Sequence, residues 1–248
     1  MNAPLLTLAG VHTHIGPYHI LQGVDLEVPR GQLTMLLGRN GAGKSTTLRT
    51  IMGLWRASAG SVTFGGAALC GVGTADIAAR GIAYVPENMG IFSDLSVREN
   101  MLLAARSGPM DGARLEWIVK LFPSIKQFWE KPAGKLSGGQ KQMLAIGRAL
   151  IEPRQLYMFD EPSKGLAPVM VNSMVAALRA LKEQGATVLL VEQNLAVAQA
   201  LGDTVAVMGA GRVVHHGGMA QLAADPDLQQ RLLGLHLGAA PARAGEGA

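Results

Sequence analysis

The stretch that most constrains this chain is Gly38-Arg39-Asn40-Gly41-Ala42-Gly43-Lys44-Ser45-Thr46. It follows an apolar run, Thr34-Met35-Leu36-Leu37, and precedes a segment of helical character over 47–52. Strand, glycine-rich turn and helix in that order, with the pattern G-x-x-x-x-G-K-S, describe a phosphate-binding loop. Glycines let the backbone curl so that successive N–H groups converge on an anion, and helix polarity adds positive potential at the same place. Lys44 is expected to reach the β- and γ-phosphates of a nucleotide, and the Ser45 hydroxyl to ligate Mg2+. A turn that binds nothing is the competing reading, and the strand before and helix after it speak against that.

With 248 residues, 48% hydrophobic and 16% charged, the chain can build one large core, with room for a smaller inserted lobe. Its apolar runs fall far short of the ~18 residues that a membrane-spanning helix needs. Met1-Asn2-Ala3-Pro4 lacks a basic n-region, so no signal peptide is expected. A single cysteine, Cys70, allows no internal disulfide, fits a reducing cytoplasm and reads as filler near a loop. The net charge of +4 comes from dispersed Lys and Arg with few aromatics between them, so nucleic acid is not an expected partner. His12, His14 and the pair His215-His216 lack an accompanying carboxylate or cysteine cluster and read as exposed strand histidines rather than metal ligands.

Period and punctuation predict strands over 5–11, 21–28, 33–37, 60–66 and 82–85, with a brief helix over 74–80. From about 96 to 150 strand-like runs vanish, and helices are predicted over 96–106, 112–121 and 139–151, the last stopped by Pro153. This segment reads as an inserted helical lobe. Its aromatics, Trp117, Phe122, Phe128 and Trp129, suit a core or a groove for a partner's helix, and 88–98 reads as the rim of such a groove. Sheet character returns over 155–159, 186–191, 204–208 and 212–215, with helices over 169–182 and 195–201 between. Alternating strands and helices imply an α/β fold with a largely parallel sheet. The Gly-, Ala- and Pro-rich tail, 239–248, is expected to be disordered.

A phosphate loop alone leaves GTPases, kinases and ATPases open. The apolar strand ending in Asp160-Glu161 narrows the choice, because Asp160 can hold Mg2+ through water while Glu161 polarises a water for attack on the γ-phosphate. No Asn-Lys-x-Asp guanine-reading motif accompanies the loop. A second anion cradle, Ser137-Gly138-Gly139-Gln140 at a helix N-terminus, cannot serve the same nucleotide from one chain. Two chains packed head to tail could each complete the other's site. Alternatively Ser137 is simply an N-cap.

Leu136-Ser137-Gly138-Gly139-Gln140, ahead of the acidic strand and well after the phosphate loop, resembles the signature of ABC transporter ATPase subunits. The resemblance spans about 5–235. Tyr84-Val85-Pro86-Glu87, the segment from Asp160 to Pro168, and Val191-Glu192-Gln193-Asn194 make it most similar to branched-chain amino acid importers, with urea and short-amide importers close in pattern. The resemblance implies a P-loop, RecA-like ABC ATPase core over 1–238, with a mainly parallel sheet, an antiparallel β region and an α-helical subdomain inserted near 96–150. It further implies ATP and Mg2+ as ligands, and a second ATPase subunit, identical or different, as partner. Two transmembrane permease subunits and, indirectly, a solute-binding protein complete the expected assembly, with the chain at the cytoplasmic face of the membrane.

Residue by residue, the resemblance assigns nucleotide contact to Gly38 through Thr46 and, from the opposite subunit, to Ser137 through Gln140. Glu87 stands where the family has a glutamine that senses Mg2+ and the membrane partner. Ser163 to Leu166 match the loop that crosses to the other subunit, and Gln193 replaces the usual switch histidine. Ile15 occupies the place of the adenine-stacking aromatic, and Tyr18 is the nearest substitute. A glutamine can donate to a γ-phosphate oxygen but cannot carry charge, and Glu87 adds negative charge that needs an offset. The expectation is a chain paired with a different ATPase subunit, its own site the slower of two. The alternative functions are a urea or short-amide importer ATPase and a nucleotide-binding subunit with weak hydrolysis.

Overall fold

The structure, a computed structural model, describes residues 3–106 and 108–234. The chain opens with a long hairpin, β1 (Leu6–Ile15) and β2 (Tyr18–Val28), followed by β3 (Leu33–Gly38) and α1 (Lys44–Ile51). Next come β4 (Ala57–Phe64), β5 (Ala67–Ala68), α2 (Thr74–Ala79) and β6 (Ile82–Val85). Four helices follow, α3 (Val97–Ala104), α4 (Gly112–Leu121), α5 (Pro123–Gln127) and α6 (Gly138–Leu150). The sheet resumes with β7 (Leu156–Asp160), α7 (Pro168–Glu183), β8 (Thr187–Val191), α8 (Leu195–Leu201), β9 (Thr204–Gly209) and β10 (Arg212–Gly218), and α9 (Met219–Ala224) and α10 (Pro226–Leu233) end the described chain.

Six strands form the central sheet in the order β10-β9-β3-β8-β7-β6, parallel throughout except for β10 against β9. Every residue of β3, β7 and β8 is buried. Continuous apolar strands are what a parallel sheet covered on both faces requires. Alternate residues of β3 enter different cores: Leu33, Met35 and Leu37 join the helices, whereas Leu36 joins a layer shared with the antiparallel sheet. That second sheet, β2-β1-β4-β5, is antiparallel throughout, and its strands bury only alternate positions over much of their length. The fold is therefore an α/β core with an antiparallel region beside it. For the site, the decisive consequence is that β3, β8 and β7 are neighbours whose C-terminal ends open on one crevice, the usual place for a ligand in such sheets.

Several expectations are corrected in detail. β1 and β2 run on to a tight turn at Gly16-Pro17, longer than 5–11 and 21–28, because cross-strand pairing carries polar residues such as His14 and His19. The helices α5, α9 and α10 were not foreseen, although Pro123 and Pro226 at their first turns and Asp225 as an N-cap are start signals. Phe122 is fully buried, and Trp117, Phe128 and Trp129 pack on the same core, so these aromatics belong to the interior. His14 and His216 are exposed, but His12 and His215 are half-buried, and His19 stacks on both His12 and His14. Cys70 is exposed. The expected tail, 239–248, lies outside the described residues.

Candidate functional site

The phosphate loop begins on the last residue of β3. Gly38 has φ +144°, and a Cβ there would lie 2.4 Å from the Met208 carbonyl oxygen. Only glycine lets the chain leave the sheet this close to β9. Gly43, at φ 105°, stands as N-cap of α1 without any side-chain cap, so the first-turn N–H groups keep their donor capacity. Arg39, Asn40 and Gly41 form the exposed crest, while Ala42, Gly43 and Lys44 are buried and Ser45 and Thr46 half-buried. Lys44 is only 4% exposed. Its Nζ donates to the Gly38 and Arg39 carbonyls at 2.9 and 3.2 Å and lies 3.3 Å from Glu161 Oε1. The lysine's donors thus occupy the loop's own carbonyls and one carboxylate, all near enough to be exchanged for phosphate oxygens.

At the end of β7, Asp160 accepts a 2.9 Å hydrogen bond from Ser45 Oγ on one oxygen and a 3.4 Å bond from the Tyr84 hydroxyl on the other. Burial pushes the Asp160 carboxyl above the usual carboxylate range; the bond from Ser45 opposes this, and the charges of Glu161 and Glu87 add to it. Tyr84 is pushed up to about 12, chiefly by burial and then by Asp160. A hydroxyl and a carboxylate in contact form a hard-oxygen donor set that fits Mg2+.

Glu161 is 8% exposed and adopts φ +50°, the left-handed region that non-glycine residues seldom occupy. Its backbone N–H is tied to Val191 O at 2.9 Å, so the end of β8 holds this conformation in place. Its carboxylate receives the Gln193 amide Nε2, 2.7 Å from both oxygens, and Gln193 also donates to Asn40 Oδ1 at 2.6 Å. Phosphate loop, acidic strand end and Gln193 are therefore one hydrogen-bonded cluster. A cavity of about 350 Å3 opens beside it, lined by Arg39, Asn40, Gln193, Leu195 and Leu233 among others.

Three supporting residues lie in the motif segments, but the sequence reading did not assign their contacts. Glu192, 2% exposed, accepts from Ser163 N at 3.0 Å, from Ser163 Oγ at 2.8 Å and from Gln193 N at 3.2 Å. Burial raises its pKa above the ordinary carboxylate value, and these bonds only partly oppose it. Lys164 pairs with Glu87 at 2.6 Å and approaches Glu161 at 3.7 Å. Tyr84 is the third, through Asp160. Glu192 carried a signal, a carboxylate directly after an all-apolar strand. Nothing local announced Lys164.

Ser137 to Gln140 lie elsewhere. Ser137 N-caps α6 in a reciprocal capping box with Gln140, and no hydrogen bond or ion pair among the described residues joins this segment to the phosphate loop. Ser137 and Gly138 are exposed. Tyr18 sits directly across the hairpin from Ile15 and is 69% exposed.

Residues 21–164 match the family described as ABC transporter. The chain is 39% identical over 232 residues to the high-affinity branched-chain amino acid transport ATP-binding protein BraG of Pseudomonas aeruginosa, covering 93% of this chain and 100% of that protein. It is 32% identical over 220 residues to the probable branched-chain amino acid transport ATP-binding protein LivF of Archaeoglobus fulgidus, covering 88% and 93%. A solved dimeric bacterial ABC transporter cassette superposes with a TM-score of 0.77 at 25% identity, over 86% of this chain and 98% of that one.

Proposed function

This chain belongs to the ABC transporter family, and from that premise we propose that it is the ATP-hydrolysing subunit of an importer of branched-chain or related amino acids. The residues over 1–238 serve as its ATPase domain, with 96–150 as the helical lobe. The observation that carries the reading is the convergence of Lys44, Glu161 and Gln193 on one crevice, with Ser45 bound to Asp160 beside them. Among the described residues no helix is long and apolar enough to cross a membrane. In this reading passage of solute falls to separate permease subunits, which hold this chain at the cytoplasmic face.

Hydrolysis joins a water oxygen to the γ-phosphorus and breaks its bond to the β–γ bridging oxygen, whose electron pair leaves with ADP. In this reading Glu161 accepts the water proton. Lys44 exchanges its carbonyl partners for β- and γ-phosphate oxygens, and the free N–H groups at the start of α1 hold the same phosphates. Ser45 and Asp160 would hold Mg2+, which supplies charge neutralisation for the triphosphate. Gln193 keeps Glu161 oriented and offers an amide hydrogen to a γ-phosphate oxygen, without the charge a histidine could bring.

The exposed Ser137-Gly138 turn completes the site of a neighbouring subunit, so turnover requires a pair of ATPase chains. With Glu87 and Gln193 departing from the common pattern, a second, different ATPase chain is the partner this reading favours. Glu161→Gln should lower phosphate release by the assembled pair about a hundredfold or more while ATP binding persists. Undiminished hydrolysis would remove Glu161 from the role. If this chain alone, at dimerising concentration, hydrolyses as fast as a mixed pair, the unequal pairing is wrong.

A further inference from the structure

We propose that Lys164 is a positioning residue whose ammonium supplies the counter-charge that lets an acidic residue, Glu87, stand at the edge of the triphosphate site. The inference rests on the ATPase reading above and adds to it a contact within this chain for Lys164, which the resemblance places only in the loop that crosses to the other subunit. Glu87 follows β6 and Lys164 follows β7, 77 residues apart in sequence, yet Lys164 Nζ lies 2.6 Å from Glu87 Oε1 and 3.7 Å from Glu161 Oε2.

The origin of this side chain is anchored. Ser163, its neighbour, is held by two bonds to the buried Glu192, and the Lys164 N–H donates to Glu161 O at 3.1 Å. The loop is thus tied down on both sides of the hydrolytic cluster, and the lysine is the member that reaches across to the next loop. Glu87 and Lys164 are 40% and 58% exposed, and ion pairs so placed add little to folding stability. Their effect is felt instead in the charge presented to a ligand. The charges of Glu87 and Glu161 both act on Asp160, with Glu87 the exposed member of the three, and Lys44 is already engaged with the loop and Glu161. Without Lys164, Glu87 would confront an anionic nucleotide uncompensated.

The test is a titration of the full chain with a fluorescent ATP analogue and Mg2+, comparing Lys164→Leu, Lys164→Arg, Glu87→Gln and the double variant Glu87→Gln/Lys164→Leu. Lys164→Leu should weaken binding about three- to tenfold, less so at high salt, while Lys164→Arg stays within about twofold of the natural chain. In the Glu87→Gln background the same Lys164→Leu change should cost almost nothing. Equal weakening in both backgrounds, or none in either, overturns the inference. So does a fall in the thermal midpoint of Lys164→Leu, which would mark a structural role. A Lys44→Ala chain that binds the nucleotide as well as the natural one would instead defeat the underlying ATPase reading, an outcome distinguishable from the others.

Discussion

Two glycine-rich helix starts in this molecule resemble each other as strings of letters and differ as structures. At α1 the base of the turn, Gly38 and Gly43, is buried against β9 beneath the exposed crest, its helix has no side-chain cap, and its lysine is folded in against the loop's own carbonyls. At α6 the turn is exposed, and Ser137 and Gln140 cap each other. The first is an anion site whose donors are left free by its own construction. The second has the Ser137 and Gln140 N–H groups tied to each other's side chains, so any use it has for phosphate must come from what its exposed face meets. That difference separates a half-site complete within the chain from one that only a neighbour can complete.

The largest effect expected from breaking this contrast is at Gly38. Gly38→Ala places a Cβ 2.4 Å from Met208 O at φ +144°, and should cost about 3 kcal/mol or more in denaturant unfolding. Gly138→Ala meets nothing within 4 Å and should leave stability within about 0.5 kcal/mol. If the two glycines prove equally sensitive, the contrast between buried and open turns is wrong.

A sharper version concerns Ser137. Ser137→Asp keeps an N-cap of equal quality, so the thermal midpoint should hold. The added charge would nonetheless face a neighbour's triphosphate and should lower turnover of the paired ATPase about tenfold or more. Unchanged turnover would leave Ser137 as a cap alone.

The smallest effect is one of pH. Burial raises the Glu192 pKa, so the folded state favours its protonated form. Its contribution to stability is present below the ordinary carboxylate value and is lost as pH climbs through the raised one. Glu192→Gln should therefore flatten the decline of the melting temperature across that window, by about 2 °C. A melting profile with the slope unchanged would show that Glu192 ionisation does not govern it. At the Ser137–Gln140 cap neither partner titrates, and no such slope arises there.

Much of the site was legible because its chemistry is local. The phosphate loop needs glycines, Lys44 and Ser45 at fixed spacing between a strand and a helix, and those constraints are written in consecutive residues. Asp160 and Glu161 were legible for the same reason, as acids closing a run of apolar residues. The short helices α9 and α10 were not, because they are brief and bury few residues, among them Met219, Leu222 and Gln229, although Asp225 and Pro226 mark the start of the second. Glu192 left a partial signal, the acid after an all-apolar strand, but its partner Ser163 and the pairing of Lys164 with Glu87 were hidden, since each joins residues far apart along the chain.

The sequence by itself determined that a phosphate loop, an acidic strand end and a serine-glycine turn exist on an α/β framework, because each follows from periodicity and side-chain type over a few residues. Only the tertiary structure decided which of them share a site. Parallel order places the ends of β3, β8 and β7 side by side, closing Lys44, Gln193 and Glu161 into one cluster, while α6 presents Ser137 outward. Strand order and helix orientation arise from the joint burial of apolar faces drawn from the whole chain, and no single stretch encodes that packing.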